Sequence, residues 1–110
     1  MKIRSTHRLR ALLRSRALLV KTRASLDNHL RGILKSFGRK VGRVAVGLLG
    51  DRVLELVEGE GILEQTVRAV LRTRQGVMER IDELHRLVLA ATKADPFCRR
   101  LMSVPGASAR

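Results

Sequence analysis

The sequence predicts an all-α fold: two long helices pairing as an antiparallel coiled-coil hairpin, a glycine-rich connector, and a short C-terminal helix. Three observations carry that expectation. Two leucine- and valine-rich seams repeat with alternating spacings of three and four residues, the pattern of helices that pack along a shared stripe. Glycines gather between the seams, with six of the nine falling from Gly38 to Gly61. The 110 residues include two Phe and no Trp or Tyr, so any core is built from Leu, Val and Ile, as in helix pairs.

The first helix is expected from Ser5 to Ser36, a stretch without Pro and with one Gly. Its seam is Leu9, Leu12, Arg16, Leu19, Arg23, Leu26, Leu30, Ile33 and Phe37. Ser5 or Thr6 can cap its start, and Gly38 is placed to stop it. The connector, Gly38 to Gly61, holds a short helical stretch near Asp51 to Glu58 between glycine stops. The second long helix runs from about Ile62 to Ala94. Its seam is Leu63, Val67, Val70, Arg74, Val77, Ile81, Leu84, Val88 and Ala91. At about 1.5 Å per residue both helices approach roughly 50 Å, and matched lengths favour a hairpin. The tail opens a new element, with Asp95 as N-cap and Pro96 at the first helical position, and Pro105 and Gly106 end it.

Three arginines sit on the seams. If residue 5 lies opposite about residue 93, Arg16 falls near Asp82 and Glu83, and Arg23 falls near Arg74. The first pairing helps and the second repels, so Arg23 and Arg74 are expected to snorkel or to meet something outside the hairpin.

A net charge of +13 with an isoelectric point near 11.7 calls for a polyanionic partner, nucleic acid first and an anionic membrane surface second. Residues 1–43 carry thirteen Lys and Arg against the single Asp27, a net of +12, while residues 44–110 carry ten against nine, a net of +1. Five of the cations, Arg10, Arg14, Lys21, Arg31 and Lys35, share about 100° of helical arc facing away from the seam. From Arg10 to Lys35 the stripe spans roughly 38 Å, close to one duplex turn of about 34 Å. A solvated helix face normally mixes signs. This one has Asp27 as its only acid, so intrahelical ion pairs do not account for it, and contact with nucleic-acid phosphates is the expected role. Arg39, Lys40 and Arg43 extend the charge into the glycine-rich loop. Without aromatic platforms, backbone contact is favoured over base reading.

Other classes find little in the sequence. The longest apolar or glycine run, Val44 to Gly50, is far short of the roughly 20 residues of a membrane span. A membrane-active cationic helix would need a broad apolar face with aromatic anchors in place of a heptad. The Arg- and Ser-rich start has the composition of an organelle transit peptide, against which the regular heptad argues. The lone Cys98 fits a reducing, cytoplasmic setting. Cys98 has Arg99 and Arg100 beside it but no base near in sequence. His7, His29 and His85 stand singly without metal-ligand spacing, and Asp51, Glu55 and Glu58 read as helix surface. No catalytic residue, metal ligand, cofactor site or small-molecule substrate is expected in this chain. A homo-oligomer through the coiled coil is expected.

Several segments together resemble one family. Leu9-Arg10-Ala11-Leu12-Leu13, Leu30-Arg31-Gly32-Ile33-Leu34-Lys35, Phe37-Gly38 and Val41-Gly42 are followed by Asp95-Pro96, Cys98-Arg99-Arg100-Leu101-Met102 and Val104-Pro105-Gly106. In order and spacing they are similar to the middle of DEDD-type transposases of the IS-one-ten insertion-sequence family. The resemblance covers essentially the whole chain. It implies an N-terminal RuvC-like domain with four magnesium-holding acids, a helical coiled-coil segment, and a C-terminal domain with a nucleophilic serine. It also implies dimers or tetramers acting on DNA with a guide RNA from the element. On that reading residues 1–94 are the inter-domain coiled-coil hairpin and residues 95–110 a truncated start of the C-terminal transposase domain. Magnesium then belongs to the full-length family and both catalytic sets lie outside this segment. The family's second glycine after Val-Pro-Gly is replaced by Ser108, which does not match the catalytic serine. A frameshift or a decayed element copy would produce such an end. The competing reading is a stand-alone basic helical module that binds DNA or RNA.

Overall fold

The computed structural model describes residues 2–94. The tail from Asp95 to Arg110, where the sequence predicts a short helix and the start of a second domain, lies outside the described residues, as does Cys98. The described chain is helical, with α1 over Lys2–Ser36, a 3-10 turn over Val46–Leu48, α2 over Leu49–Val57 and α3 over Ile62–Ala94. No strand occurs among the described residues.

α1 begins at Lys2, so Ser5 and Thr6 lie inside the first turns and are not its caps. It ends as the sequence predicts. Gly38, at φ +75, takes the left-handed conformation that a Cβ disfavours, and the Arg39 N–H donates to Leu34 O at 2.8 Å while the Gly38 N–H donates to Lys35 O at 2.9 Å. This paired closure satisfies the last carbonyls of the helix. It also puts Phe37 at the cap position, where it is 58% exposed, so the α1 seam stops before it.

The seam of α1 holds through Arg23, with Leu9, Leu12, Arg16 and Leu19 all half-buried. From there Leu30 stays on the seam and fully buried, while the neighbouring buried positions shift by one residue, from Leu26 to Asp27 and from Ile33 to Leu34. A straight helix of 3.6 residues per turn drifts from a strict 3.5-residue repeat by about 20° per heptad, and the shift has that sense. On α3 every seam position is buried or half-buried, from Leu63 to Ala91.

α2 starts two residues earlier than expected. Its Leu49, Val53 and Val57 recur at four-residue spacing and are all buried on one face. That face meets Leu30 and Leu34 of α1, Val41 of the loop, and Leu63 and Val67 of α3. The connector is therefore a packed third layer. The apolar core sits where the end of α1, all of α2 and the start of α3 meet, while the early part of α1 and the late part of α3 have only half-buried seams.

The arginines on the seams behave differently from expectation. Arg74 is 4% exposed and does not reach outside. Its Nε donates to Asp27 Oδ1 at 2.5 Å and its Nη2 to Val46 O at 2.6 Å. Arg23 Nη1 donates to the other oxygen, Asp27 Oδ2, at 2.6 Å. The repulsion expected between Arg23 and Arg74 is thus removed by one carboxylate between them, because a turn of helix brings Asp27 back beside Arg23. The pairing expected for Arg16 is not formed. Among the described residues its Nε is buried without a hydrogen-bond partner, and Glu83 pairs with Arg80 at 2.8 Å.

Candidate nucleic-acid interface

The eight predicted cations divide by environment. Arg10, Arg14, Lys21 and Lys35 are exposed along α1, and Lys40 and Arg43 are exposed on the loop after it. Arg31 is half-buried and turned toward that loop, its Nη1 donating to Gly42 O at 2.7 Å. Arg39 is the most committed of the eight. Its Nη1 donates to Leu56 O at 2.8 Å at the end of α2, and its Nη2 pairs with Glu60 ahead of α3.

The loop is pinned from two sides. Arg31 holds the Gly42 carbonyl and Arg52 of α2 holds the neighbouring Val41 carbonyl, Nε to O at 3.2 Å, while the Val41 side chain is buried in the core. Gly42, at φ +79, supplies the turn that brings Arg43 back toward α1. The result is an open pocket of about 720 Å³ whose cationic lining is Arg31, Lys35, Arg39, Lys40 and Arg43. The structure thus gathers the C-terminal part of the stripe and the loop cations into one concavity. Arg10, Arg14 and Lys21 stay on the straight helix beyond it.

The helices differ in how far their cations are paired, with Arg72 and Arg86 the arginines of α3 that form no ion pair among the described residues. Arg68 of α3 pairs with Glu64 at 2.9 Å, Arg80 with Glu83, Arg52 of α2 with Glu55 at 3.4 Å, and Arg74 with Asp27. Among the described residues none of Arg10, Arg14, Lys21, Lys35, Lys40 and Arg43 forms an ion pair. Glu64 shows how the acids are spent in the other half. The hydrogen bond from Arg68, followed by the backbone N–H of Gly59 at 3.1 Å, holds its carboxyl below the usual carboxylate value.

Arg52, and the role of Asp27 between Arg23 and Arg74, were not foreseen from sequence. Arg52 carries no motif, and its role depends on where the Val41 carbonyl falls. Asp27 did leave a signal, being the only acid in the first 43 residues. Among the described residues, no group of three or more His, Cys, Asp or Glu side chains is arranged to hold a metal ion, and no helix is long and apolar enough to cross a membrane.

No family model and no solved structure matches the chain. Among curated proteins, the chain is similar to a transposase for insertion sequence element IS1111A from Coxiella burnetii (strain RSA 493 / Nine Mile phase I), with 30% identity over 102 residues. The match covers 89% of this chain but 28% of the relative, so the chain spans less than a third of that protein's length. The chain is therefore related in sequence to an insertion-sequence transposase.

Proposed function

We propose that this chain is a segment of a DNA-transposition protein of the IS-one-ten kind, serving there to join domains, to dimerise, and to contact nucleic-acid phosphates. The observation that carries the binding role is the unpaired cationic face. Six exposed cations on α1 and its following loop form no ion pair among the described residues, whereas three of the five arginines of α3, Arg68, Arg74 and Arg80, do, leaving Arg72 and Arg86. Uncompensated like charges repel one another in the free protein, and a polyanion relieves that repulsion while releasing its own counterions. DNA and the guide RNA of such elements are the ligands.

In this reading α1 and α3 form an antiparallel hairpin. The pairs Arg39 with Glu60 and Asp27 with Arg74 support it, because the α3-side partner rises in number as the α1-side residue falls. The Asp27–Arg74 pair lies three residues from the partner that the expected register gives Asp27, which supports a hairpin near that register. Residues 1–94 are the inter-domain helical part and residues 95–110 the opening of a C-terminal transposase domain. The chemistry belongs to other parts of the parent protein, with magnesium held there, and this chain alone is not an enzyme. Magnesium-dependent strand cleavage by the purified chain would overturn that last point.

A salt titration tests the binding role. Affinity for duplex DNA is expected to fall with salt at a slope of about −0.9 per neutralised phosphate. Replacing Arg10, Arg14, Lys21, Arg31 and Lys35 with Gln is expected to flatten the slope by several units, and an unchanged slope would remove these residues from the interface.

A further inference from the structure

The stripe and the pocket differ in geometry, and the difference selects different phosphates. Arg10 and Lys21 stand eleven residues apart on a straight helix. At about 1.5 Å per residue that is roughly 16 Å, twice the Debye length of about 8 Å at physiological ionic strength. Arg14 lies about 6 Å from Arg10 and roughly 10 Å from Lys21, so at most two of these cations share one phosphate. In the pocket, Arg31, Lys35, Lys40 and Arg43 surround one volume of about 720 Å³, which as a sphere is about 11 Å across. A single anion inside lies within a Debye length of all four. Arg39, the fifth cationic wall, is neutralised by Glu60 and adds no net charge.

Convergent cations favour the anion with the most charge and acceptors on one centre. A phosphodiester carries a single charge and two free oxygens. A phosphomonoester carries about −1.5 to −2 at neutral pH with three acceptor oxygens. Arg31 and Lys35 also belong to the stripe, so the pocket lies at the C-terminal end of the track, where the Lys40–Arg43 loop closes it. A strand running along α1 from Arg10 reaches the pocket last.

We propose that this pocket binds a terminal phosphate of a nucleic-acid strand, a phosphomonoester, and so distinguishes strand ends from continuous backbone. The inference rests on the reading of α1 as a phosphate-contacting face. Lys35, Lys40 and Arg43 are the charge-bearing donors, and the Arg31 guanidinium, held on Gly42 O, forms the back wall. Charge-assisted hydrogen bonds supply the preference.

The test is fluorescence anisotropy on the full chain with a 3′-labelled DNA single strand bearing either a 5′-phosphate or a 5′-hydroxyl. The phosphorylated strand is expected to bind roughly tenfold tighter at low salt. Lys40→Gln with Arg43→Gln should bring the ratio of the two affinities to about one, and so should Lys35→Gln alone. Arg10→Gln with Arg14→Gln should weaken both strands and leave the ratio unchanged. Equal affinity for both strands in the unaltered protein would overturn the inference and leave backbone contact standing. Failure to bind either strand would overturn both readings. Inorganic phosphate and a nucleoside 5′-monophosphate serve as competitors. If either displaces the phosphorylated strand at concentrations equal to that of the strand, the pocket is a free-phosphate site and the strand-end assignment is wrong.

Discussion

Replacing Asp27 with Ala removes the one acid that Arg23 and Arg74 share. Arg74 is then left 4% exposed with only the Val46 carbonyl as partner. At about 4 Å between charge centres and an effective dielectric near 20, the lost attraction is about 4 kcal/mol. Breaking a buried pair by deleting one partner costs about 3–5 kcal/mol, which agrees. The Arg23 contact, an i,i+4 pair, adds about 0.3–0.5 kcal/mol. A small domain holds about 5–15 kcal/mol in total, and a core of eight buried apolar side chains puts this one near the lower end. Asp27→Ala is therefore expected to remove most of the cooperative urea transition followed by circular dichroism at 222 nm.

The companion variant decides whether the pair itself or the orphaned charge is responsible. Asp27→Leu with Arg74→Met exchanges the pair for apolar groups of similar size, a change that is commonly neutral or stabilising. The double variant should recover most of the loss. An Asp27→Ala protein within about 1 kcal/mol of the unaltered chain, or a double variant no better than the single, would refute the assignment of Asp27 as the clamp between α1 and α3.

Leu34→Ala opens a void at the meeting point of the three helices and is expected to cost about 2–5 kcal/mol in urea unfolding, more than Leu19→Ala, whose site is only half-buried. Arg39→Met loses the Leu56 carbonyl and Glu60 together, and with both side chains about a third exposed it should cost about 1 kcal/mol, read as a lowered thermal midpoint. Glu64 has a lowered pKa in the fold, so its contribution is present above its ordinary value of 4.5 and is lost as pH falls through the lowered one. Glu64→Gln should accordingly be less stable than the unaltered chain at neutral pH, and the two thermal midpoints should converge in acid.

The long helices were legible because their signals are local and repeated. The α3 seam from Leu63 to Ala91 is buried or half-buried at every position the three-four spacing marks. Gly38 was readable as a stop because only a residue without Cβ sits easily at φ +75. What could not be read was where the core lies. The heptads pointed to a uniform seam, yet the full burial is concentrated where α2 inserts Leu49, Val53 and Val57 against both long helices. α2 is nine residues long and flanked by glycines, so its periodicity alone marks a helix without saying which face is covered or by what.

Charge was legible for the same reason and its use was not. The exposed positions of Arg10, Arg14 and Lys21 follow from angular placement on a helix, which needs no tertiary information. The commitments of Arg31, Arg39 and Arg52 depend on where the carbonyls of Gly42, Leu56 and Val41 end up, and no sequence pattern encodes that. These three arginines act as struts that fix the loop in place. They hold the loop through backbone carbonyls, which carry no formal charge, although Arg39 also pairs with Glu60 and Arg52 with Glu55. The loop is thereby held while its cationic character is kept. An acid at each of those carbonyl positions would hold the loop as firmly and cancel the field around Lys40 and Arg43. The same contrast explains why α3 can balance Arg68 and Arg80 with Glu64 and Glu83 at no cost to the pocket's charge: both pairs lie wholly on an element that contributes nothing to its lining, and Asp27, although on α1, does not line it either.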